Sequence, residues 1–392
     1  MKVETEMKIN KVELIPVTVP YRFPIVHAFG GRVAGDYLIV RISTDAGLTG
    51  VGSGGVLFPM HSGESLDGAL GSLGNLARTI LLGADPFDIE WLMAQVNRAL
   101  HGHWLTKSVL DFALYDLKGK ALDVPVYQLL GGLCRAKVPL EFIVGLGEPQ
   151  AMADKGREYL DHGFHGLKIK FSGDPKLDLQ RFAAVRRAAG PDCRVSVDMN
   201  EAYTPATAPA VIKATADMGV TFIEQPVPRR DVAGMREVKE KVDVVLAADE
   251  GGWSLDEAAA LIQARAADLF HTVPSRIGGF TRALKYRSLI EAYGLMSCIS
   301  AYNGTGLEHA ASSHFIAATH KDPLFPEEPV GILYLFGGYG TDGITGDVIK
   351  KTSGRIAEGY LHAPEGPGLG VELDEANIAK YISPGRQPLT IE

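Results

Sequence analysis

The chain has 392 residues and a formal charge of −8, with acids and bases interspersed, so its length exceeds what one hydrophobic core usually serves and two domains are expected. No lysine- or arginine-rich stripe offers the electrostatic footprint that nucleic acid requires. No stretch approaches the ~20 apolar residues of a membrane span, and the N-terminus lacks the basic-then-apolar pattern of a signal peptide, so a cytoplasmic protein is the expectation.

Residues 1–6 are polar, and a strand pattern opens only at Met7 and Lys8, so the first six read as a leader. From there to about Arg135 the order is strand, glycine-rich turn, strand, then helices, with 37–42 (YLIVRI) and 47–52 (GLTGVG) reading as a hairpin. An α+β domain over 1–135 follows. Beyond it, short apolar runs alternate with helical segments of ten to fifteen residues, the texture of a parallel βα array. Strands are expected at 138–144, 166–170, 194–198, 221–224, 244–248, 269–273, 296–300 and 330–335. Eight strands suggest a closed barrel over 136–347. Helices with three-and-four apolar spacing are expected at 149–162, 175–189, 205–218, 254–265 and 281–293, the fourth opened by a Ser254/Glu257 capping box. The segment 348–392, rich in Gly and Pro around 364–370, should pack back on the first domain. Cys134, Cys193 and Cys298 are far apart and odd in number, and read as reduced, mostly buried thiols.

In such a barrel the chemistry sits at the C-terminal ends of the strands. Three successive strands end in an acid: Asp198 (RVSVDMN), Glu224 (TFIEQP) and Asp249 (VLAADE). Any one of them alone could cap a helix or pair with an arginine. Three in one small mouth repel unless a cation neutralises them, and an all-oxygen set selects a hard ion, Mg²⁺. One strand earlier, LKIK places Lys168 and Lys170 two apart, so alternation sends both into the barrel. They are either structural counter-ions or, with burial, a second ammonium and a divalent ion lowering a reference pKa of ~10.4, a base at Lys170. A hydrogen beside a carboxylate is very weakly acidic, because its removal puts a second negative charge on the same group. A metal on that carboxylate stabilises the dianion, which explains why base and metal ligands occur together.

These residues resemble the enolase superfamily, and most closely its muconate-lactonizing-enzyme-like branch, with K-x-K on strand two and Asp, Glu and Asp ending strands three to five. The resemblance extends to 108–132 (SVLDFALYDLKGKALDVPVYQLLGG), Gly278–Gly279 and 366–373 (GPGLGVEL). It implies an α/β fold, a modified TIM barrel of (β/α)7β type under an N-terminal α+β capping domain. It also implies Mg²⁺, a small carboxylate substrate and a homo-oligomer, with Lys170 as base, Lys168 as electrostatic helper, and Asp198, Glu224 and Asp249 on the metal. Specificity would lie in capping loops holding Tyr21, His27, Phe29, Arg32 and His61, with Asn200, Ser300 and Tyr302 as further candidate substrate contacts at the barrel mouth.

The chain departs from that pattern at one place. The branch carries a second lysine ending strand six, five residues before the Gly-Gly pair, and here that position is Val273. The mandelate-racemase alternative, an Asp there with a His ending strand seven, is absent as well. His271, two residues earlier, is a candidate second acid/base or a buried structural histidine. Inverting a carbon needs a base on one face and an acid on the other. The expectation is therefore one-base chemistry, a lyase (dehydratase) or cycloisomerase, ahead of a racemase or epimerase with a non-standard second base. A carboxylate-binding protein without catalysis is the reading from another class.

Overall fold

The computed structural model describes residues 7–27, 30–55, 59–320, 327–328, 346–351 and 354–392, without the side chains of 23–27, 30–32, 60–61 and 351. The N-terminal region is built on an antiparallel sheet in which β1 (Ile9–His27), β2 (Gly30–Thr44) and β3 (Thr49–Ser53) run consecutively. Valine, isoleucine and leucine buried along β1 and β2 fit a half-buried pleated surface. The 18-residue helix Trp104–Ala121 packs against β3. Two glycines permit that approach, since a Cβ at Gly50 would stand 2.1 Å from the Ala113 carbonyl oxygen and one at Gly52 2.2 Å from that of Val109.

The expected strand at 138–144 is two strands. Leu140, between them, bridges to Glu327 instead of continuing a single ladder. The first piece, β4 (Lys137–Pro139), turns into a small antiparallel sheet, and only β5 (Glu141–Val144) enters the barrel. It is followed by β6 (Gly166–Lys170), β7 (Arg194–Asp198), β8 (Ile223–Glu224), β9 (Leu246–Ala248), β10 (Leu269–Thr272) and β11 (Met296–Ile299). These seven pair in parallel, each with the next in sequence. Helices lie between them, and Ser254 caps one, its hydroxyl accepting from the Glu257 amide at 3.2 Å.

Closure of the barrel comes from Glu327 and Glu328. Glu328 donates its amide to Ile299 at 3.0 Å, and the Glu327 carbonyl accepts from the Glu141 amide at 3.1 Å, so among the described residues this pair bridges β11 to β5. The 330–335 run proposed for that role lies outside the described residues.

The chain then adds β12 (Ile349–Lys351), β13 (Ile356–Ala357), β14 (Tyr360–His362) and β15 (Glu372–Leu373). β13 and β14 complete the small sheet with β4, and β12 pairs with β15. The last strand, β16 (Leu389–Ile391), returns to the first sheet and pairs antiparallel with β1, Val12 opposite Ile391.

Among the described residues no helix is long and apolar enough to cross a membrane. The three cysteines are free thiols, with Cys298 buried in β11.

Candidate active site

Parallel register sets the site. Lys170, Asp198 and Glu224 are partners across β6, β7 and β8, so neighbouring strand spacing of ~4.8 Å places base and acids side by side. Glu224 pairs with Ala247, and Asp249 follows two residues later, just past the end of β9.

Sharp backbone turns hold the acids there. Asn200 and Gln225, with φ of 38° and 36°, bend the chain immediately after β7 and β8. The Gln225 side-chain oxygen accepts from the amides of Asp249 at 3.1 Å and Gly251 at 3.0 Å, while its nitrogen donates to Val227 at 2.9 Å. That amide ties the ends of β8 and β9 together. Asn200 donates its backbone N–H to Asp198 at 2.8 Å and its side-chain N–H to Glu250 at 3.0 Å.

Each of the three acids carries its own cation. Asp198 accepts from Lys170. Glu224 accepts from Lys168 at 2.6 Å and lies 3.0 Å from His271 Nε2. Asp249 meets the Arg276 guanidinium through both oxygens, Nη1 at 3.0 Å from Oδ2 and Nη2 on Oδ1. Burial pushes Asp198 up to about 6, with the Glu224 charge adding to the shift and Lys170 opposing it. For Glu224 burial acts upward too, but His271 and Lys168 outweigh it and hold the carboxyl well below the usual range. Burial would raise Asp249, yet Arg276 brings it below its ordinary value.

The lysine reverses one expectation. Burial alone would lower the Lys170 ammonium, but Asp198 and Glu224 overcome it and hold the pKa above the ordinary lysine value. Lowering Lys170 would take something that competes for those carboxylates. The two lysines also differ in access: the Lys170 side chain is 19% exposed and that of Lys168 2%.

Two features had no counterpart in the sequence reading, and a third, the pairing of an acid with an arginine, was weighed there without its partner. Glu328, on the bridge between β11 and β5, contacts Lys168 together with Glu224. Glu141, an acid inside the apolar run of β5, is 1% exposed, and burial pushes it up to about 8. A lone acid in PLEFIV was a readable sign of an interior polar position. The Arg276–Asp249 pair left no sign in spacing, because its partners come from different βα units.

The remaining candidates divide by location. Tyr302 packs edge-on against Trp253 at 5.8 Å and lies under Gly55 of the capping region, where a Cβ would sit 2.3 Å from its ring. Tyr21 meets the Tyr37 hydroxyl at 3.3 Å, and Tyr37 donates to the Asn303 carbonyl at 2.7 Å, joining the first sheet to the barrel mouth. Ser300 lies 3.5 Å from His271 Nδ1, so both ring nitrogens of His271 face side chains of the barrel interior. Val273, just past β10, is 1% exposed. The side chains of His27, Arg32 and His61, and all of Phe29, lie outside the described residues.

By its chemistry the donor set of Asp198, Glu224 and Asp249 suits a hard divalent cation, while the group whose ligand atoms all stand within 4.8 Å of one another among the described residues is Glu224, His271 and Glu328. The all-acid set consists of three buried carboxylates on adjacent strand ends, beside a fourth, Glu250, whose Oε2 is buried with no hydrogen-bond partner among the described residues. Burial and the neighbouring Asp249 and Asp198 charges raise Glu250 well above the usual carboxylate range. A cation would relieve that repulsion.

Residues 9–131 match the family described as mandelate racemase/muconate lactonizing enzyme, N-terminal domain, and residues 151–377 match enolase C-terminal domain-like. A chloromuconate cycloisomerase of Cupriavidus necator is 31% identical over 378 residues, covering 96% of this chain and 99% of that one. A solved mandelate racemase/muconate lactonizing family protein from Azoarcus sp. EbN1 superposes with a TM-score of 0.90 at 33% identity, covering 98% of this chain and 100% of that one. The dipeptide epimerase of Enterococcus faecalis V583, solved with Mg and the dipeptide L-Leu-L-Tyr, gives 0.85 at 29% identity over 93% and 99% of the two chains.

Proposed function

The chain belongs to the mandelate racemase/muconate lactonizing enzyme family of the enolase superfamily, and from that premise we propose that it abstracts the α-proton of a small carboxylate with Lys170 as base. The observation that carries this reading is the register of Lys170 with Asp198 and Glu224, together with its exposure against the near-complete burial of Lys168. Only the reachable amine can meet a substrate carbon.

Asp198, Glu224 and Asp249 are the proposed ligands of Mg²⁺. An ion held there would supply positive charge beside the substrate carboxylate, and with Asp198 and Glu224 engaged by it Lys170 would lose the partners that hold its proton. Lys168, fixed between Glu224 and Glu328, adds a permanent charge where the substrate carboxylate becomes more negative. Lys170 takes the proton and, as an ammonium, can deliver it on the same face to a leaving hydroxyl, or to another carbon. Val273 offers no proton from the strand-six side. A lyase or cycloisomerase working with one base follows.

A relative named for epimerisation, the Enterococcus faecalis hydrophobic dipeptide epimerase, favours a second reading. In it His271 would act as the other acid/base, and its ring would have to leave Glu224 and Ser300 to do so.

Incubating both enantiomers of a panel of small acids in D₂O with Mg²⁺ distinguishes these readings. One-base chemistry labels or converts one enantiomer without inverting it, and Lys170→Ala lowers that rate by roughly 10²–10⁴-fold. Inversion lost in His271→Asn supports the epimerase reading. Bound metal and bound acid with no exchange would make the protein a carboxylate binder.

A further inference from the structure

We propose that Arg276 is a built-in competitor for the third carboxylate of the site, so that a divalent cation reaches Asp249 against a resident guanidinium and Arg276 sets the cation affinity. The inference rests on reading Asp198, Glu224 and Asp249 as cation ligands.

Both oxygens of Asp249 are taken by one guanidinium, a planar two-point contact that matches carboxylate geometry. The arrangement is anchored from both sides. Arg276 stands on the short helix Pro274–Ile277, whose Ser275 hydroxyl donates to Glu308 at 2.6 Å, and Asp249 is held by its amide on Gln225. At 5% exposed, Arg276 is almost wholly withdrawn from water, so its charge is poorly screened and acts directly on any cation placed at Asp249.

The guanidinium also has a place to remain when the carboxylate is taken. Its carbon lies 4.9 Å from the centre of the Trp253 ring and 5.7 Å from that of Tyr302, contacts that owe nothing to Asp249 and favour a cation by the quadrupole of the rings. Its Nε is buried with no hydrogen-bond partner among the described residues, so pairing with Asp249 satisfies only part of its donor fork. Lys168 and Lys170 pair with Glu224 and Asp198 and have work in the proposed reaction. Arg276 has none there, and its effect falls on the binding of the ion.

Calorimetric titration of the metal-free full-length chain with MgCl₂, with Mn²⁺ resonance as a second probe, tests this. Arg276→Met is expected to bind Mg²⁺ tighter by roughly tenfold or more, the scale on which removing a buried like charge acts. Arg276→Lys keeps a charge and should stay near the wild-type affinity. In the wild type, Trp253 emission should change on Mg²⁺ addition, with Trp253→Phe identifying the signal, and Arg276→Met should lose that change. Equal or weaker Mg²⁺ binding by Arg276→Met, with native circular dichroism, overturns the competitor role. Failure of both wild type and Arg276→Met to bind any divalent cation overturns the ligand reading beneath it, an outcome distinct from unchanged affinity. Binding by the variant alone supports the competitor role in its strongest form.

Discussion

At the scale of single residues, Lys168 shows what the barrel interior demands. Its ammonium touches Glu224 at 2.6 Å and Glu328 as well, at 2% exposure, so removing it takes the ammonium from two buried carboxylates and leaves Glu224 with His271 beside it. Lys168→Met should cost ~3–5 kcal/mol of unfolding free energy, read by urea denaturation without metal. Lys170→Ala should cost less, because its side chain is partly exposed and its direct ion pair is with Asp198. The positions of the three acids and both lysines could be read from spacing because strand ends recur with the βα period and side chains alternate with period two. Glu328 could not, since its importance depends on Glu327 and Glu328 meeting β5 and β11, contacts that join parts of the chain far apart in sequence. The lysine's charge state was also hidden, because it depends on which neighbour holds Asp198.

Elements dock through a few polar contacts placed at helix ends. Asp111, on Trp104–Ala121, accepts from the amides of Phe280 and Thr281 at the start of the helix Phe280–Ala292, the former contact being the shorter. Gly279, with φ of 98°, makes room: a Cβ there would meet Asp111 at 2.4 Å. This gives a physical reason for the Gly-Gly motif, which spacing alone had offered only as part of a family pattern. Asp111→Ala should destabilise the protein by ~1–2 kcal/mol in thermal unfolding, the usual loss of a cap. Burial is the largest effect on this carboxyl and pushes it from 3.8 up to about 7. A raised pKa means the folded state holds the proton more firmly, so this stabilising contribution is complete below pH 3.8 and is lost as pH climbs to about 7. Asp111→Asn keeps an acceptor without a titration, and its stability relative to wild type should rise across that window. A flat difference between the two proteins would refute the buried-acid account. The helices were legible from their apolar period, but the split of 138–144 was not. Continuous apolar residues say nothing about where a strand changes sheets.

For the whole molecule, metal and fold should be linked. A ligand that binds only the folded state at 100 times its dissociation constant adds ~2.7 kcal/mol, so Mg²⁺ should raise the melting temperature and EDTA should reverse the gain. Absence of any shift at millimolar Mg²⁺ would count against a cation on the three acids. The α/β architecture was legible because alternating strands and helices admit few arrangements. The tail was expected to pack back on the first domain; what was not legible is the form of that contact, in which β16 completes the first sheet by pairing with β1, Val12 opposite Ile391. Deleting 384–392 should expose the edge of β1 and lower the melting temperature, measured by circular dichroism. That same pairing imposes an order in time. A ribosome delivers β1 well before β16, so the first sheet waits with one edge open while the elements between them are made. Until β16 pairs, that edge is available to other strands.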